Sequence, residues 1–136
     1  MFNERPVLSI CVTCRDGRET KKNDVRGGKR MAEAFLAYLK NYDDLSFEVR
    51  GVSCMSQCKR SCVVGICASG RFSYIFGDLD PKNKENIEVI VEFLSLYAAK
   101  PEGFLSRSDR PESLRSNILA RIPPPKSVSR IVSNLV

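Results

Sequence analysis

The sequence predicts an α/β fold: a mixed four-stranded sheet in the order β-α-β-β-β-α, followed by an irregular C-terminal extension. Three observations carry that expectation. Four short apolar runs have the length and the β-branched content of strands, at 7–12, 45–52, 63–69 and 71–77. Two longer stretches, beginning at Lys29 and at Asp80, repeat apolar residues with the period of a helix. The first of these lies between the first two strands, and a helical crossover makes the strands it joins parallel.

The first strand, VLSICV, ends at a cysteine pair, and the polar run RDGRETKKNDVRGG that follows contains a loop. Gly27 and Gly28 precede a helix whose apolar stripe is Met31, Ala34, Phe35, Tyr38, Leu39 and Tyr42. In LSFEVRGV, Leu45, Phe47 and Val49 alternate with Ser46, Glu48 and Arg50, the pattern of a strand covered on one face, which suits an edge. VVGICAS and RFSYIFG, joined at Ser69 and Gly70, form an antiparallel hairpin. Asp80 as N-cap and Pro81 at the first helical position start a second helix with the stripe Ile87, Ile90, Val91, Leu94 and Tyr97, ended by the Lys100-Pro101 step. This order is that of a thioredoxin-like core, assigned to residues 1–100. The segment 101–136 is richer in Pro, Ser and Arg, with a short helix expected around 112–119. It is expected to drape over the domain, its end after the triple proline mobile until a partner orders it.

A chain of 136 residues buries roughly two-thirds of its unfolded surface, so the core needs no covalent staples. No apolar run approaches the ~18 residues of a membrane span, and no secretory signal is legible in MFNERPVLSI, so the expected compartment is the cytoplasm. Thiols stay reduced there, which turns clustered cysteines toward metal binding or redox chemistry rather than disulfides. Histidine is absent, removing imidazole ligands, the commonest general base and any Cys-His nucleophile pair. The net charge of +6 favours an acidic protein partner, whereas no Arg-rich segment interleaved with aromatics marks a nucleic-acid groove.

The six cysteines hold the chemical signal. CVTC at 11–14 closes the first strand, and SCMSQCKRSC at 53–62 follows the second, so the parallel strands bring both segments to one end of the sheet. Loops beside strand ends can converge thiolates on a metal, and both spacings are short enough to chelate. Cys11, Cys14, Cys54 and Cys58 are the first-choice ligands, with Cys62 as spare or substitute and Cys67 as a small buried hydrophobe. Without histidine, zinc would need four cysteines, as would a 2Fe-2S cluster. A dithiol exchange role for CVTC is the redox alternative, weakened because a loop rather than a helix follows it. Arg15 after CVTC excludes haem attachment. Arg15, Arg18, Lys59 and Arg60 are either solvated loop residues or cations offsetting thiolate charge.

The order of these elements, a second strand ending in CMSQC and a hairpin with FSYIFG resemble the thioredoxin-like 2Fe-2S ferredoxins and the related cluster-bearing subunit of NADH dehydrogenases. Cys11, Cys54 and Cys58 match ferredoxin ligand positions. Those ferredoxins place the remaining ligand near Gly27 and Gly28, where Cys14 is the nearest candidate here, and usually carry a proline at the position of Cys62. More closely, CVTCR, CMSQCKRSC, FSYIFGDLD, RPESL and ARIPPP are similar to a family of small bacterial proteins of unknown function described as predicted metal-binding proteins, associated with cobalt uptake and cobalamin-related genes. The resemblance implies a one-electron carrier with a 2Fe-2S cluster, no catalysis by the chain itself, and an acidic redox partner; a zinc- or cobalt-binding metal-handling module is the alternative.

Overall fold

The computed structural model describes residues 5–136. Strand β1 (Val7–Cys11) leads through a long loop to helix α1 (Gly27–Leu39), and β2 (Glu48–Val52) follows. After the cysteine loop come β3 (Val64–Cys67), β4 (Ser73–Phe76), helix α2 (Lys84–Ala99) and, beyond three short 3-10 turns, β5 (Ile118–Ile122). The sheet runs β2-β1-β3-β4-β5, with β1 and β2 parallel and all other neighbours antiparallel. The edge position of β2 agrees with its one-sided alternation.

Register explains the core. Leu8 faces Ile66, Ile10 faces Val64, and these in turn face Tyr74 and Phe76. All six are at most 1% exposed, so one face of the sheet is continuous apolar surface. Helix α1 buries Met31, Phe35 and Leu39 in it, and α2 buries Ile87, Ile90, Val91, Phe93, Leu94 and Tyr97. Phe93, outside the expected stripe, stands edge-on to both Tyr74 and Phe76, with centroids 4.9 and 5.0 Å away. Tyr42 lies beyond the end of α1 and is 46% exposed. On the opposite face Ser9 pairs with Gly65, and the Ser9 hydroxyl accepts from Arg50 Nε at 2.7 Å.

Four expectations are corrected. The sheet has five strands rather than four, because Ile118–Ile122 pairs with β4 and covers the edge that β4 would otherwise expose. The region expected to be helical around 112–119 is instead the 3-10 turn Glu112–Leu114 followed by the start of β5. Residues 101–105 are also ordered by the core, because the buried Tyr74 hydroxyl donates to Gly103 O at 3.0 Å and accepts from Leu105 N at 2.8 Å. Finally, the N-cap of α2 is Asn83, whose side chain accepts from Glu85 N at 3.0 Å. Asp80 is held by a bidentate pair with Arg18, at 2.8 and 3.0 Å. Gly27 and Gly28 lie in the first turn of α1, not before it. No helix among the described residues is long and apolar enough to cross a membrane.

Candidate metal centre

Parallel pairing of β1 and β2 brings the two cysteine loops together. Val12 N donates to Val52 O at 2.9 Å, and the Thr13 hydroxyl donates to the Ser53 carbonyl. From the other side, α1 seats its first turn on the CVTC backbone: Gly28 N donates to Cys14 O at 2.9 Å. A side chain at Gly28 would place its Cβ 2.2 Å from the Cys11 carbonyl and 2.9 Å from Cys14 N, so only glycine permits this approach. The intervening loop is fastened by carboxylates. Glu19 accepts from Asp16 N, Gly17 N and Gly27 N at 3.2, 3.1 and 2.7 Å. Asp16 takes both arms of Arg30, each at 2.9 Å, and Arg18 at 2.8 Å. Burial works against ionised Asp16, yet the guanidiniums of Arg30 and Arg18 outweigh it and hold the carboxyl well below the usual range.

Within this frame all six cysteines are free thiols. Cys11 and Cys14 are buried with their sulfurs 3.0 Å apart. Burial raises Cys14 to about 12, with the hydrogen bond it donates to Cys11 and the neighbouring Cys11, Cys62 and Cys58 thiols acting in the same direction. At Cys11 burial also opposes the thiolate, but the hydrogen bonds from Cys14 and from the backbone of Met55 and Thr13 prevail and lower it below the ordinary thiol value. The pair is therefore unequal, with Cys11 the acceptor. Cys62 is fully buried and pushed up to about 12 by burial and then by Asp16. Cys54 and Cys58 are exposed, and Cys54 accepts from Ser56 N at 3.3 Å within its own loop. Cys67 ends β3 half-buried, at the last position of the strand rather than in its middle.

Among the described residues, no three Cys, Asp or Glu groups stand close enough to hold a metal ion. The chemistry of the donor set nevertheless fits a thiolate-ligated one. Two thiolates on one tetrahedral metal with ~2.3 Å bonds lie roughly 3.8 Å apart. The 3.0 Å between Cys11 and Cys14 is within a side-chain rotation of that spacing. Of the four nearby cations, Arg18 and Arg60 are committed to Asp16, Asp80 and Asp78. Arg15 and Lys59 form no ion pair among the described residues.

The buried position of Cys62 beside the CVTC thiols and the close seating of α1 by Gly28 are the features that spacing alone misses. Two adjacent glycines at a helix start were the available signal for the second.

The family described as "Protein of unknown function (DUF1636)" matches residues 8–124. The chain belongs to this family. No curated protein matches the sequence. The fold is similar to a thioredoxin-like [2Fe-2S] ferredoxin from Aquifex aeolicus, at a TM-score of 0.56 and 19% identity, covering 91% of this chain and 98% of that one. A structure of the wild-type thioredoxin-like [2Fe-2S] ferredoxin from the same organism aligns at a TM-score of 0.49 and 16% identity, over 86% and 98% of the two chains. At 19% identity the first likeness establishes a thioredoxin-like fold.

Proposed function

We propose that the chain is a cysteine-ligated metal-binding protein, and that its form in the cell is a 2Fe-2S one-electron carrier. The observation that carries this reading is the Cys11 and Cys14 pair, 3.0 Å apart at the end of β1 and tied to the segment that bears Cys54 and Cys58 by the Val12 N bond to Val52 O and the Thr13 hydroxyl bond to Ser53 O. Cys11 and Cys14 would hold one side of the centre and Cys54 and Cys58 the other, with Cys62 able to replace an exposed thiol. Ligation requires the exposed 53–60 loop to turn its thiols toward the buried pair. When bound, such a cluster supplies a one-electron couple whose potential follows the charge and hydrogen bonding around its sulfurs. The backbone of Met55 and Thr13 already favours the thiolate at Cys11. Arg15 and Lys59 are the exposed cations left to meet an acidic redox partner, and no catalytic step by the chain itself is invoked. Iron and acid-labile sulfide in equal amounts in protein purified without oxygen test the reading; zinc or cobalt without sulfide would support the metal-handling alternative.

One observation favours a second reading. Cys11 and Cys14 are closer than two thiolates on one metal, and α1 returns to seat on their backbone although a loop intervenes in sequence. A dithiol that exchanges with a disulfide substrate has this arrangement. It predicts that Cys11→Ser or Cys14→Ser abolishes disulfide turnover while Cys54→Ser and Cys58→Ser do not.

A further inference from the structure

At the edge of the sheet formed by β5, the turns after α2 gather four arginines. Arg107 and Arg110 come from the turn at 107–110, Arg115 follows the next turn, and Arg121 belongs to β5. Arg115 braces the first turn by donating to Arg107 O and Ser108 O, each at 3.1 Å. Arg121 donates to Leu105 O at 3.1 Å and lies 4.9 Å over the Phe104 ring. Arg107, Arg110 and Arg121 then line a cavity of about 300 Å³, whose remaining wall is Ile118, Leu119 and Ala120.

The state of Arg110 is what singles this cavity out. The residue is 6% exposed, and its Nε is buried with no hydrogen-bond partner. None of the four arginines forms an ion pair among the described residues. The adjacent Asp109 is turned back to its own turn, accepting from Ser106 N at 3.4 Å. A guanidinium does not escape burial by losing its proton, so an unpaired one in a low-dielectric wall is destabilising until an anion meets it. Burial and the facing Arg121, Arg107 and Arg115 all work against the charge on Arg110, with only Tyr74 acting the other way. The RPESL and ARIPPP segments supply Arg110 and Arg121, and the cysteine centre explains neither.

We infer that Arg107, Arg110 and Arg121 form a binding site for the phosphate group of a small phosphate ester, with Ile118, Leu119 and Ala120 contacting its organic part. Guanidinium forks match phosphate oxygens two at a time, and three of them balance a dianion better than a single carboxylate. A volume of about 300 Å³ is the low end of small-molecule sites, enough for the group and a short body but not for a strand of nucleic acid.

Isothermal titration of the full chain with glycerol phosphate at constant ionic strength tests the assignment, with inorganic phosphate, glycerol and succinate as the other ligands. Saturable 1:1 binding of glycerol phosphate is expected, weakened at least about tenfold by Arg107→Ala and by Arg121→Gln, each losing one charge-assisted contact. Glycerol should not bind, and inorganic phosphate should bind more weakly than the ester. Arg110→Met should abolish binding while raising the melting temperature of the ligand-free protein, because it removes an unpaired buried charge. Absence of saturable binding, or binding unchanged in both Arg107→Ala and Arg121→Gln, overturns the site. Succinate binding as tightly as glycerol phosphate overturns the phosphate assignment, and Arg107→Ala, an exposed position, keeps the test valid if Arg110→Met does not fold.

Discussion

Gly28 is the residue on which the geometry of the cysteine turn most depends. In an ordinary helix, replacing glycine by alanine gains about 1 kcal/mol. Here the added methyl would meet the Cys11 carbonyl at 2.2 Å, so Gly28→Ala is predicted to lose about 2 kcal/mol or more in urea unfolding, the scale of an overpacked core site. A gain would mean that α1 does not rest on the turn. Among the cysteines, Cys11→Ser and Cys14→Ser are predicted to remove bound metal, measured by elemental analysis of purified protein. Cys67→Ala should leave the metal content unchanged, since that thiol lies at the far end of β3 from Val64, which pairs with Ile10. The spacing of the cysteines suggested a candidate thiolate site, but their depth could not be read from it. Cys62 is buried because its N–H and carbonyl pair with Leu79 on the strand-like connection after β4, a tertiary contact with no local signature.

At the level of elements, the 15–26 loop and the extension after α2 are the parts that side-chain chemistry, rather than periodic packing, holds in place. Asp16 is depressed below the ordinary carboxylate range by Arg30 and Arg18 despite its burial. Its contribution is therefore complete above about pH 4, the unfolded value, and is lost as pH falls below it toward the folded value. Amide protection in residues 15–26, taken relative to the intrinsic exchange rate at each pH, should fall over that acidic interval, and Asp16→Asn should show the reduced protection at every pH. In the extension, Tyr74→Phe deletes the hydroxyl that serves both Gly103 O and Leu105 N, leaving two buried backbone groups unpaired. A loss of about 2–3 kcal/mol is predicted from that desolvation, read as a lowered urea midpoint. Strands β1 to β4 and both helices were legible because alternation and the 3.6-residue stripe act locally. β5 was not, because ILARI sits among Pro, Ser and Arg and pairs with β4 only after the extension has folded back. The start of α2 was misplaced because Asp80 and Asn83 both suit a cap: Asp80 accepts from Lys82 N at 2.9 Å and caps the turn before the helix, while Asn83 accepts from Glu85 N and caps the helix itself.

For the molecule as a whole, a thioredoxin-like sheet carries one buried helix face, a cysteine-rich end beyond β1 and β2, and an arginine-lined edge at β5. The two candidate sites use different side chains, so Arg107→Ala should leave the metal content unchanged and Cys11→Ser should leave ester binding intact. The core does not depend on the centre, since most of its buried aliphatic and aromatic side chains come from both helices and from strands β1, β3 and β4. Metal removal is therefore predicted to lower the melting temperature without unfolding the chain, unlike small domains that fold only around zinc. The central claim is that the thiols at 11, 14, 54 and 58 hold a redox-active cluster. Its most direct test is a visible spectrum of protein purified without oxygen, combined with iron, zinc, cobalt and sulfide analysis. Absorption between roughly 320 and 550 nm that bleaches with dithionite, with equal iron and sulfide, is the predicted result for a cysteine-ligated 2Fe-2S centre. Colourless protein lacking iron and sulfide would contradict it.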